Sequence, residues 1–124
     1  MPRPSSRFAG ATYLNKEERI ERLRQAAVRA RKRVPEIKRV ILFGSMATGI
    51  PSPRSDADLL IVVERSPQRY SRDRLPAMLR ALAPLPCAVD LFVLTLEEVD
   101  RFQREGSPLL RTALTSGHDL LPAD

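Results

Sequence analysis

Three aspartates carry the chemistry open to this sequence. Asp56 and Asp58 stand one residue apart at the head of the apolar run Leu59–Val63, and Asp90 lies inside a second run, Ala88–Leu94. Residues two apart in a strand project from the same face, so Asp56 and Asp58 are expected side by side. Asp90 has Val89, Leu91, Phe92 and Val93 as chain neighbours. Burying a carboxylate among such residues is costly unless it is paired or bound to a cation. If the two runs form neighbouring strands, three carboxylates converge at one edge of a sheet, and such a cluster keeps its charge only around a cation. Hard oxygen donors select Mg²⁺ or Mn²⁺, which take carboxylates together with substrate phosphates. Two such ions, about 3.5–4 Å apart, can clamp the attacking and leaving oxygens of an in-line phosphoryl or nucleotidyl displacement. Gly44-Ser45 directly follows the apolar run Val40–Phe43. A glycine there gives a phosphate chain close backbone access, and a serine hydroxyl with helix-start amides can hold it.

Competing motifs fail on their own terms. Gly44 and Gly49 have the spacing of a P-loop, but Ile50-Pro51 occupies the places of its Lys and Ser/Thr. A calcium loop starting at Asp56 would need an oxygen ligand at Leu60 and a glycine at Ile61. Zinc lacks ligands, because the chain has one Cys and one His.

The elements that must position these residues are legible from periodicity. Ile20, Leu23, Ala27, Ala30 and Val34 recur at three- and four-residue steps, predicting a helix near 16–33 that Pro35 ends. Asn15 with Glu18 has the pattern of a capping box at its start. Val40–Phe43 reads as a strand buried on both faces, followed by a helical turn through Met46–Thr48, a Pro51-Ser52-Pro53 loop and a second strand over Asp56–Val63. A helix is expected near 72–83 with Pro76 in its first turn, then a third strand over Ala88–Leu94. Thr95 with Glu98 forms another capping box, opening a helix to about Gln103. Ser107-Pro108 caps a last helix through Leu114 that stops at Gly117, and Leu120-Leu121 adds a short edge strand. The order is αβαβαβα with no internal repeat.

At 124 residues the chain suits one domain with one core. Residues 1–14 read as a loose arm and 15–124 as the domain. Its hydrophobic share is 43% and its charged share 29%, ordinary for a folded domain. A single cysteine excludes an intrachain disulfide, no apolar run approaches a membrane span, and the amino terminus has no secretory pattern, so a cytoplasmic protein is expected. Twenty-one basic against fifteen acidic residues give a net charge of +6, carried almost wholly by arginine. That balance favours polyanionic partners such as nucleotide, RNA or an acidic protein surface, although an arginine-favouring genome would produce it equally. The dense set Arg19, Arg22, Arg24, Arg29, Arg31, Lys32 and Arg33 has no interleaved aromatic residues and reads mostly as a solvated face. His118 reads as a surface residue rather than a base, and Cys87 as a small strand residue rather than a nucleophile.

Phe43-Gly44-Ser45-Met46-Ala47-Thr48-Gly49, the ten residues between Ser45 and Asp56, and Ser55-Asp56-Ala57-Asp58-Leu59 together resemble the DNA-polymerase-β-like nucleotidyltransferase superfamily. The short length resembles its minimal nucleotidyltransferase (MNT) branch, and the likeness covers roughly 16–121. The resemblance implies an α+β fold: a mixed sheet of three to four strands with helices packed against it. It implies Asp56, Asp58 and Asp90 as catalytic metal ligands, with Asp90 helping to deprotonate the attacking hydroxyl. Gly44 and Ser45 would hold the triphosphate. It further implies Mg²⁺ (two ions, or Mn²⁺) and transfer of a nucleoside monophosphate, commonly AMP from ATP, to a hydroxyl with loss of pyrophosphate. Many minimal members are antitoxins paired with a helical HEPN toxin that they adenylylate. Antibiotic-modifying relatives carry an extra helical domain that is missing here, so a protein partner or a homo-oligomer is expected to complete the site. Two other readings stand beside it. One is a non-catalytic module that neutralises a partner through Leu109, Leu110, Leu114, Leu120 and Leu121. The other is a transferase acting on RNA or a small molecule, guided by the basic helix.

Overall fold

The computed structural model describes residues 16–44 and 57–122. The expectations for the arm at 1–14, the Asn15 cap and the turn at 46–48 fall outside them. The helix read from periodicity is α1 (Lys16–Arg33), with acids in its first turn and bases in its last. That distribution complements the helix dipole. Three long strands follow: β1 (Ile37–Phe43), β2 (Ala57–Val63) and β3 (Val89–Thr95). A two-residue strand β4 (His118–Asp119) completes a sheet of order β3-β2-β1-β4. β1 runs antiparallel to both β2 and β4, whereas β2 and β3 are parallel, so the sheet is mixed.

Parallel β2 and β3 require a crossover, supplied by a 3₁₀ turn (Ser71–Arg74) and α2 (Leu75–Leu82). Sequence periodicity suggests one helix from 72. Pro76 instead occupies the first turn of an α-helix that begins at Leu75, leaving the preceding four residues as a separate turn. α3 (Leu96–Arg104) and α4 (Pro108–Ser116) follow β3. The Thr95–Glu98 capping box is present in full, and Ser107 caps α4 through the Leu110 N–H. No helix among the described residues is long and apolar enough to cross a membrane.

Strand alternation divides the core in two. Val40, Leu42, Leu59, Ile61, Leu91 and Val93 face α1 and α2, packing on Leu23, Ala27, Ala30 and Leu82. Ile41, Phe43, Leu60, Val62 and Leu94 face the other way, onto Leu110 and Ala113 of α4. Helices therefore cover both faces, and β2 is buried almost throughout, as its apolar run requires.

Three expectations need correction. The final strand is His118–Asp119 rather than Leu120-Leu121, although Leu120 still donates its N–H to the Val40 carbonyl. The cause is Gly117, where a Cβ would run into the Ala113 carbonyl and the Ile41 Cγ2, so α4 ends pressed against β1 and pairing starts at once. Leu110, Leu120 and Leu121 are buried core residues, which removes the apolar contact surface imagined for them. Finally, two arginines of α1 are structural rather than part of a solvated face. Arg29 donates to the carbonyls of Leu82, Ala83 and Pro84, and Arg33 to those of Arg80, Ala81 and Ala83. Together they satisfy the orphan acceptors at the C-terminal end of α2.

Candidate functional site

β1 and β2 run in opposite directions, so the C-terminal end of β1 lies beside the start of β2. β3, parallel to β2, starts at that same end. Phe43 pairs with Asp58, and Asp58 pairs in register with Asp90. Neighbouring strands are about 4.8 Å apart, so the two carboxylates share one level of the sheet. They also share one face. Asp58 alternates with Leu60 and Val62, and Asp90 with Phe92 and Leu94, all on the side covered by α3 and α4.

Gly44 closes this corner. Its φ of +76° lies in the left-handed region, which an L side chain rarely adopts. A Cβ built there would overlap Asp58 Oδ2 and come within 2.9 Å of its Cγ. The missing side chain is thus the space that the Asp58 carboxylate fills. Gly44 was expected to admit phosphates, and its close approach to the acid is a second demand on the same residue. Asp58 is half-buried. Asp90 is exposed, against the expectation of a carboxylate sunk among apolar neighbours. The reason is its place as the second residue of β3, an outermost strand, where its side chain leaves the sheet before the core closes.

Beneath the acids the face turns aromatic. Phe92, two residues beyond Asp90, packs against Phe43 with ring centroids 5.9 Å apart and a 45° tilt. The two-residue step from Asp90 was the only sequence signal for this floor, and it becomes informative only once Asp90 is seen to share the face of Asp58. Asp56 and Ser45, the other expected site residues, lie outside the described residues. Among the described residues no group of three or more His, Cys, Asp or Glu could hold a metal, and Asp56 lies outside them. The donor set nevertheless suits a hard cation: two carboxylate-bearing strands in register beside a glycine corner.

Charge at the opposite end of β3 is handled otherwise. Arg74, 4% exposed, holds Glu98 through bonds of 2.6 and 3.2 Å. Its remaining donors go to the carbonyls of Gln68, Arg69 and Val93. The Arg74 guanidinium holds the Glu98 carboxyl below the usual range, and burial opposes that shift. This pair has no counterpart among the expected site residues and is structural.

The family model for the nucleotidyltransferase domain matches residues 20–112. Among solved structures, the chain is similar to a Sulfolobus solfataricus protein proposed to be a nucleotidyltransferase, with 26% identity and a TM-score of 0.55 over 69% of this chain and 75% of that one. It also shares its fold with a chain of a toxin–antitoxin structure containing AMP-PNP, at 21% identity and a TM-score of 0.50, over 82% of this chain and 74% of that one. No curated protein sequence matches.

Proposed function

We propose, from the premise that the chain belongs to the nucleotidyltransferase domain family, that it transfers a nucleoside monophosphate, AMP from ATP, to a hydroxyl of a partner protein. The observation that carries this reading is the in-register pair Asp58–Asp90 on one face, with Gly44 shaped around the Asp58 carboxylate. Asp58 and Asp90, joined by Asp56, would hold Mg²⁺ or Mn²⁺, two ions when fully loaded. The cation supplies charge to offset the phosphates as pyrophosphate departs. Gly44 and Ser45 receive the triphosphate at the turn. Asp90, the exposed acid on the outermost strand, accepts the proton of the incoming hydroxyl while that oxygen bonds to the α-phosphorus and the bond to pyrophosphate breaks.

The partner in this reading is the helical HEPN-type toxin that the sequence resemblance implies, with this chain as its antitoxin, and the toxin–antitoxin neighbour supports a partner of that kind. The experiment is incubation of the chain with α-labelled NTPs, Mg²⁺ and the product of the adjoining reading frame. Label should move to that protein from ATP and be lost with Asp58→Asn. Transfer untouched by Asp58→Asn, or absent with all four NTPs, would contradict the reading.

A further inference from the structure

β3 is an outermost strand, and the described residues cover its outward edge over only half its length. The Val93 carbonyl points outward, accepting from Ser71 Oγ at 2.7 Å and Arg74 Nη1 at 3.1 Å. Backbone N–H and C=O groups alternate sides along a strand, so those of Leu91 and Val89 face outward as well. Among the described residues no hydrogen bond reaches them from outside the sheet. Among the described residues the open half-edge is thus the half that carries Asp90, while side chains block the rest. Open strand edges template the pairing of another extended chain.

We propose that this half-edge, Val89–Leu91, docks an extended segment of the acceptor protein as an added strand and so delivers its hydroxyl to Asp90. The inference rests on the transfer reading above. Residues directly opposite on adjacent strands have Cβ atoms about 4.5–5.5 Å apart and share a face. A Ser, Thr or Tyr opposite Asp90 therefore stands at the level of the Asp58–Asp90 pair, on the same face, next to the proton-accepting carboxylate. Charge excludes a second copy of this chain. Two-fold pairing centred on Asp90 would set the aspartate opposite its own equivalent, and like charges there are destabilising. Pairing centred on Leu91 would need the Val93 carbonyl, which Arg74 and Ser71 already hold.

The test uses the full chain and a nine-residue peptide with a central tyrosine flanked on each side by valine and lysine. At millimolar concentration the peptide should slow amide exchange at Leu91 at least tenfold. N-methylation of the residues flanking the tyrosine, whose N–H groups face β3, should abolish that protection. N-methylation of the tyrosine itself, whose N–H faces away, should spare it. Val89→Pro removes an outward donor at the first residue of an outermost strand, where proline is tolerated. It should cut protection at least tenfold, while Val89→Ala keeps it. Unchanged exchange at Leu91, or equal protection by the flank-methylated peptide, overturns the proposal. Label moving to the peptide without protection at Leu91 overturns the docking edge and leaves nucleotidyl transfer standing. Protection without label supports the edge and counts against the transfer reading.

Discussion

The two ends of β3 treat charge in opposite ways. At the far end, a buried arginine holds a half-buried glutamate and every donor finds an acceptor, with Glu98 also closing the cap of α3. At the near end, two acids of the same sign are set in register on adjacent strands. The first arrangement is what stability selects, since a buried charge must be paired. The second sets like charges on one face, where they repel one another, and the Asp90 side chain is exposed. The fold therefore fixes β3 firmly at Thr95 and exposes it at Asp90.

Substitutions should separate the two ends. Arg74→Ala leaves Glu98 half-buried without its partner and should cost about 3–5 kcal/mol of unfolding free energy, read by denaturant titration. Asp58→Asn should do the reverse: transfer falls about a hundredfold or more, the scale of losing one electrostatic element of the site, here a carboxylate that holds the cation, while the melting temperature holds or rises. Gly44→Ala mixes both effects. Its strained φ and the overlap with Asp58 should cost about 1–3 kcal/mol and displace the acid, lowering transfer as well as stability.

How much of this contrast is legible in the sequence depends on range. The span of α1, the Thr95–Glu98 box and the Asp56-x-Asp58 spacing are local patterns, readable within one or two turns of chain. The Arg74–Glu98 pair joins residues 24 apart, and the Arg29 and Arg33 bonds to the end of α2 span about fifty. No periodicity announces them. Asp90 shows the same limit from the other side. Its apolar neighbours suggest burial, but exposure is decided by strand order, which places β3 outermost. The shift of β4 likewise follows from Gly117 meeting Ile41, a contact that composition does not reveal.

Acid sensitivity should sharpen the comparison further. Because Arg74 lowers the Glu98 pKa below 4.5, the folded state binds that proton less readily than the unfolded chain. The pair's contribution is then fully present above the unfolded value and is lost as pH falls through the lowered one. Stability should drop in that acid window, and Glu98→Gln should flatten the drop in melts run from pH 6 to pH 3. Glu64 is also lowered, by Arg65 and Lys38, but it is exposed, so Glu64→Gln should leave the melting temperature unchanged within error.

The central claim is that Asp58 and Asp90 grip one divalent ion at the corner formed by Gly44. Paramagnetic broadening by Mn²⁺, with a non-hydrolysable ATP analogue bound, tests it most directly. The amide signals of Gly44, Leu59 and Leu91 should broaden first while those of Thr95 and Glu98 stay sharp, and the double variant Asp58→Asn/Asp90→Asn should abolish the effect. Broadening that is uniform along the chain, or that survives the double variant, would contradict the account.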